Sequence, residues 1–312
     1  VAVVTNVAAD HLGEYGINSV AELIPAKFIV HRAIGPQGTL VLNADDDGVA
    51  EFGARLGKKI AWYSLDANHP LVKEALSGGN QVCFLDGDSL VAASAGELRH
   101  VSNVADIPAT MGGIVRYNIS NALAAMSTAI ALGINDDAIR RGLSDFRGDE
   151  NDNPGRGNWF EHRVDDGVIR ILVDFAHNEH GMAALANTVR RIGAERIILL
   201  IGQAGDRLDK DIADLVKAAC GMNPDQLLIA ELPGYERGRK PFEVPQIIRN
   251  VARACGISEA SMEDFPGPRE ATAQALRRAR AGDLLVLLAL TQRQEALALV
   301  HDFMGDDKAV HG

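Results

Sequence analysis

The run Asn153-Pro154-Gly155-Arg156, and beyond it Ile169-Arg170-Ile171-Leu172-Val173-Asp174-Phe175-Ala176-His177-Asn178-Glu179-His180-Gly181, joins two halves of different texture. Ile169, Ile171 and Val173 alternate with Arg170 and Leu172 in a short β-branched segment, which predicts a strand ending at or just before Asp174. Apolar and long side chains return at Met182, Leu185, Val189 and Ile192 with helical spacing, so residues 177–181 read as the loop and first turn of a helix. In open α/β sheets ligands sit outside the carboxyl ends of the strands, where helix N-termini favour anions. An acid, two histidines and an amide fall there within seven residues. Asp174 and Asn178 acting as helix caps beside solvated histidines is one account of them. Arg156 on its Asn-Pro-Gly-Arg turn supplies the other, because a rigid turn that presents a guanidinium suits a phosphate.

The chain has 312 residues, a length that suggests two domains, each able to bury a core. Hydrophobic residues make up 47% and charged residues 23%, ordinary globular usage. The apolar run 284–290 is far too short to span a bilayer. A net charge of -11 argues against nonspecific affinity for nucleic acid or anionic lipid, leaving a small or cationic partner as the more natural one. Cys83, Cys220 and Cys255 are odd in number and widely spaced, and read as buried thiols of a reducing, cytoplasmic compartment. The sequence enters directly into the strand-like Val1-Ala2-Val3-Val4-Thr5-Asn6, which reads as part of a longer chain.

Asp10-His11-Leu12 follows, and then an apolar helix pattern through Val20, Leu23, Lys27, Val30 and Ile34, with Ser19 and Glu22 at capping-box spacing. Lys27 falls among Ala26, Phe28 and Ile29, where an ammonium is costly to bury unless it is paired, modified or snorkelling. Strands are expected at residues 38–43 and 59–64, and a hairpin at 81–93 turning on Asp86-Gly87-Asp88. Asp45, Asp46 and Asp47 either bind metal or end a strand and cap the next helix; capping is the better account. Tyr117-Asn118-Ile119-Ser120-Asn121 opens an alanine-rich helix ending at Gly133, with Asn118 as its cap. In the second half, strand and helix signals alternate from Arg196 to Met304, which indicates a doubly wound, mainly parallel sheet.

Taken together, Thr-Asn-x-x-x-Asp-His-Leu with a helical Ala-Lys, the Tyr117–Ala125 helix, Asn-Pro-Gly-Arg and Asp-Phe-Ala-His-Asn resemble, in that order, the Mur ligase superfamily. The fold that the resemblance implies is α/β: part of a Mur ligase central, ATP-binding domain over residues 1–152, then a Rossmann-like doubly wound C-terminal domain over residues 153–312. Gly205-Asp206-Arg207, the final Ala281-Gly282-Asp283-Leu284 entry and His-Leu-Gly are similar to the Mur-like portion of the cyanophycin synthetase branch.

The resemblance implies an ATP-dependent ligase that activates a carboxylate as an acyl phosphate for attack by an amino acid amine. A folylpolyglutamate synthase-like ligase and a noncatalytic module that keeps the fold are the alternatives. ATP and Mg2+ are the implied cofactors, and the partners are a small-molecule or peptide carboxylate and an amino acid. Nucleic acid and membrane are not expected, and homo-oligomerisation is compatible with the rest. Carried over by position, Lys27, commonly carbamylated in the family, and Arg156 are catalytic, and His11 and Lys27 hold metal. Asn121, Arg156, Asp174, His177 and Asn178 bind the nucleotide. No Gly-x-x-x-x-Gly-Lys-Ser/Thr occurs in these residues, so they are expected to be inactive by themselves. With ligand groups divided by the polar stretch near Asp149–Asn153, the two domains are expected to close over nucleotide.

Overall fold

The computed structural model describes residues 1–10, 12–13 and 15–305, and the chain divides into two compact units, Val1–Arg147 and a second beginning at Gly148. In the first, β1 (Ala2–Val4), α1 (Val20–Lys27), β2 (Thr39–Asn43), α2 (Asp47–Ala54), β3 (Lys59–Ser64) and α3 (Pro70–Ser77) lead into a β4–β5–β6 meander (Val82–Asp86, Ser89–Ser94, Glu97–Asn103). Helices α4 (Arg116–Ala131) and α5 (Asp136–Asp145) complete it. The strands lie in chain order, parallel from β1 to β4 and antiparallel from there to β6. Leu40 and Leu42 point to the face under α1–α3, and Val41 to the face under α4 and α5. Burial on both faces is why Thr39-Leu40-Val41-Leu42 reads as a continuous apolar run.

Local chemistry corrects several expectations. Ser19 caps α1, but the Glu22 carboxylate accepts from Asn18 N at 2.7 Å, one residue earlier than the capping box places it. The α-helix does not continue to Ile34. Pro25 removes a backbone donor, and the chain tightens into a 3-10 helix over Phe28–Ala33. The cap position of α4 is Val115 rather than Asn118, whose amide donates to the Ala109 carbonyl. Cys83 is buried, and burial pushes its thiol up to about 12, but Cys255 is exposed.

The second unit opens with the hairpin β7 (Asn158–Val164) and β8 (Gly167–Asp174), then runs α6 (Glu179–Ile192), β9 (Arg196–Ile201), α7 (Asp209–Cys220) and β10 (Gln226–Ala230). It ends with α8 (Glu243–Ala254), β11 (Met262–Phe265), α9 (Pro268–Arg278), β12 (Asp283–Leu288) and α10 (Arg293–Gly305). The sheet order is β11-β10-β9-β12-β8-β7, with only β7 antiparallel to its neighbour among the described strands. Helices α6, α7 and α8 cover one face, through Leu185, Leu215 and Ile248, and α9 and α10 cover the other, through Ala275 and Val300.

At the amino-terminal edge, Arg196 Nη2 meets the Asp283 carboxylate at 2.6 Å and also donates to the Arg278 carbonyl. Asp283 is 1% exposed, so its charge depends on this partner. At the carboxyl edge, Gln203 donates to the His177 carbonyl and accepts from Ala204 N, joining the loops after β8 and β9. Arg239 donates to the carbonyls of Gly205 and Arg207 and pairs with Asp209 and Glu243. A Cβ on Gly205 would lie 2.0 Å from the Glu236 carbonyl oxygen, so glycine is required where these loops touch. The loop of residues 231–240 is thus a braced part of the carboxyl edge.

Asp283→Ala should lower the stability of the second unit by about 3–5 kcal/mol by stranding Arg196, and urea denaturation followed at Trp159 in a Trp62→Phe background measures it. Arg239→Met should speed amide exchange across residues 203–208 and 233–242 while β9 and β10 stay protected, which exchange mass spectrometry reads directly.

Candidate functional site

The Asn153–Arg156 turn closes with Arg156 N donating to the Asn153 carbonyl at 3.2 Å and with Gly155 at φ +72°. Proline at the second position and a left-handed glycine at the third are what a type II turn demands. Asn158, 1% exposed, holds the turn from the start of β7. Its Oδ1 accepts from Gly155 N, and its Nδ2 donates to the carbonyls of Asn153 and Gly148. Sequence reasoning missed Asn158; the signal was a buried-type strand opening with an amide directly behind a turn.

The turn sets the Arg156 guanidinium 5.0 Å from the centre of the Phe175 ring, at the end of β8. Asp174 Oδ1 accepts from Ala176 N at 2.8 Å, and the N–H groups of Gly157 and Phe175 also point at its carboxylate. Burial pushes this carboxyl above the ordinary range, while those N–H groups and the Arg156 charge oppose the push. His177 Nδ1 lies 3.0 Å from the Phe175 carbonyl, and since a carbonyl only accepts, that bond puts a proton on Nδ1. Asn178 caps α6, its Oδ1 accepting from Gly181 N.

Arg156, Asp174 and His177 therefore converge at one strand end, with Asn178 beside them in the helix cap. Lys27 and Asn121, in the first unit, do not converge in this way. Lys27 is the last residue of α1 and exposed, so its ammonium reaches solvent, and Phe28 takes the buried place. Asn121 is exposed on α4, its amide 3.2 Å from Asn118 Oδ1, and α4 covers the face opposite α1. His11 lies outside the described residues.

Asp45 accepts from Ser64 Oγ and Leu65 N, and Asp46 from Val7 N and Val49 N, so these acids are committed to the fold. No group of three or more His, Cys, Asp or Glu side chains able to hold a metal occurs among the described residues. Gln203 and Arg239, also missed from the sequence, fasten the loops around the site and are legible only once β9 and β10 are adjacent.

Comparison with known proteins gives these features a context. The model of the Mur ligase middle domain matches residues 1–129, and that of the Mur ligase glutamate ligase domain matches residues 155–289. A cyanophycin synthetase of Geminocystis herdmanii is 31% identical over 92% of this chain, which spans 32% of that relative's length. Among solved structures, E. coli FolC in complex with DHPP and ADP has a TM-score of 0.65 at 17% identity, over 98% of this chain and 61% of its own. The bifunctional folylpolyglutamate synthase/dihydrofolate synthase of Yersinia pestis, complexed with AMPPNP and a manganese ion, has a TM-score of 0.63 at 18% identity, over 96% and 60%. At such identities these two likenesses speak for the fold alone. With a middle domain followed by a glutamate ligase domain, in the order its motifs suggested, this chain belongs to the Mur ligase family.

Proposed function

We propose that these residues are part of an ATP-dependent, amide-bond-forming ligase of the cyanophycin synthetase kind. The observation that carries the reading is the gathering of Arg156, Asp174 and His177 at the carboxyl end of β8, within a chain of Mur ligase type. A substrate carboxylate oxygen attacks the terminal phosphorus of ATP and ADP departs. The amino group of an amino acid then attacks the acyl carbon, and phosphate leaves with the oxygen it gained.

Arg156, held on a glycine turn that Asn158 locks, lends a preorganised positive charge to the phosphoryl oxygens, where charge builds up during transfer. Asp174, fixed by backbone donors, keeps acceptor capacity for a nucleotide hydroxyl. His177, anchored to the Phe175 carbonyl, is assigned to the nucleotide beside it, and Asn178 fixes the start of the helix that follows. Asn121 on α4 is assigned to the adenine edge, and Lys27, with His11, to the metal-bearing side of the nucleotide. Mg2+, held on that side by His11 and Lys27, would neutralise charge on the ATP phosphates. The substrates proposed are a small-molecule or peptide carboxylate and an amino acid, with the cytoplasm as the place of action. No helix among the described residues is long and apolar enough to cross a membrane.

Residues 1–312 alone should not turn over ATP. Joined to an upstream segment that supplies a phosphate-gripping loop, they should release phosphate only when both carboxylate and amino acid are present, as a coupled phosphate assay would record. In that longer chain Lys27→Ala should abolish ligation, with partial return in bicarbonate or a short carboxylic acid; wild-type turnover without rescue would make Lys27 an ordinary surface lysine. Arg156→Ala or Asp174→Ala should weaken nucleotide binding about 10- to 100-fold, the worth of one charge-assisted hydrogen bond. Unchanged calorimetric affinity in both variants would mean that the β8 end is purely structural.

A further inference from the structure

Ligands of open α/β sheets bind where adjacent parallel strands send their following helices to opposite faces. In the second unit that place is beside β12. Strand β8 leads to α6 on one face and β12 to α10 on the other, while the two strands pair from Arg170 and Leu284 to Asp174 and Leu288. The connection leaving β8 carries Phe175, and the connection leaving β12 carries Thr291 and leads to Arg293, the first residue of α10.

These connections meet over one ring. The Arg293 guanidinium lies 6.0 Å from the centre of Phe175, the ring that Arg156 approaches to 5.0 Å. The Arg293 stem crosses the Asn-Pro-Gly-Arg turn so closely that a Cβ on Gly155 would come within 2.1 Å of its Cδ. Among the described residues neither guanidinium pairs with a carboxylate, whereas Arg196, Arg239 and Arg249 each do. The carboxylate of Asp174, whose charge acts on Arg156, is occupied by backbone N–H groups, and Glu295 in the first turn of α10 is exposed. Thr291 Oγ1 is buried with no hydrogen-bond partner.

Two like charges brought to one ring with no salt bridge to either among the described residues, where the β12 connection also carries an unpaired buried hydroxyl, are the complement of an oxyanion. Guanidinium groups bind phosphate and carboxylate oxygens through paired N–H donors, and a hydroxyl adds a third donor. We propose that Arg293, with Arg156 and Thr291, forms a two-armed oxyanion site at the β8–β12 crevice. The site rests on the ligase reading, in which Arg156 alone had been given a phosphate. Its ligand is either a phosphoryl group of the nucleotide or the carboxylate of the amino acid.

The test is calorimetry on the whole 312-residue chain with inorganic phosphate, AMPPNP and a set of free amino acids as probes, in the wild type and in Arg293→Met, Arg293→Lys, Arg156→Met and Thr291→Val. Methionine keeps the stem over Gly155, and thermal melting checks that each variant is folded. Arg293→Met should weaken at least one class of probe tenfold or more, Arg293→Lys should restore part of that loss, and Thr291→Val should weaken the same class severalfold. Losses confined to phosphate and AMPPNP identify the phosphoryl source, and losses confined to amino acids identify the carboxylate source. Wild-type affinities in Arg293→Met alongside losses in Arg156→Met would overturn the two-armed site and leave the ligase reading standing. Failure of the wild-type chain to bind any probe would also overturn it, while the ligase reading would still be decided by turnover in the longer chain.

Discussion

The second unit depends on the placement of β12 between β8 and β9. Every residue of that strand is buried, and its first residue, Asp283, enters the interior as a charge paired with Arg196 of β9 and held by the Arg280 N–H. A slip of one residue would turn Leu285 and Leu287 from the α9 and α10 side to the α6 to α8 side and would strand that carboxylate. The ion pair at one edge and the alternating apolar faces along the strand therefore fix which loops stand together at the other edge. The loops after β8 and β12 are neighbours for this reason.

Which polar side chains remain available for chemistry follows from what the fold has already engaged. Asp45 and Asp46 receive backbone and hydroxyl donors, Asn178 caps a helix, Asn158 locks a turn, and Gln203 and Arg239 fasten loops. These groups position others. Arg156 and Arg293 have aromatic and aliphatic contacts but no salt bridge among the described residues, so their charge is directed at whatever enters the crevice. In a chain with a net charge of -11, two such guanidinium groups form a local exception that the overall balance conceals.

Much of the architecture was legible in local pattern. The largely buried parallel strands β2, β9, β10 and β12 announce themselves as apolar runs, and the glycines of Asp86-Gly87 and Pro154-Gly155 mark turns whose positive φ the structure shows. Strands β6 and β11 were not legible. Both are edge strands of mixed polarity, Glu-Leu-Arg-His-Val-Ser-Asn and Met-Glu-Asp-Phe, and they become strands through the neighbours that pair with them. Helix α5, short and highly charged, was missed as well, and Pro25 cut the long helix expected around Lys27.

By itself the sequence determined the alternating α/β order, the turn that presents Arg156, and the grouping of Asp174, His177 and Asn178, because each of these is written within a few neighbouring residues. Only the tertiary structure decided that Lys27 is exposed, that Asn158 and Arg239 are braces, and that Arg293 stands at Phe175 with Arg156. These depend on contacts between segments far apart in the chain. Strand pairing and helix-face selection bring such segments together, and neither is encoded in a local period.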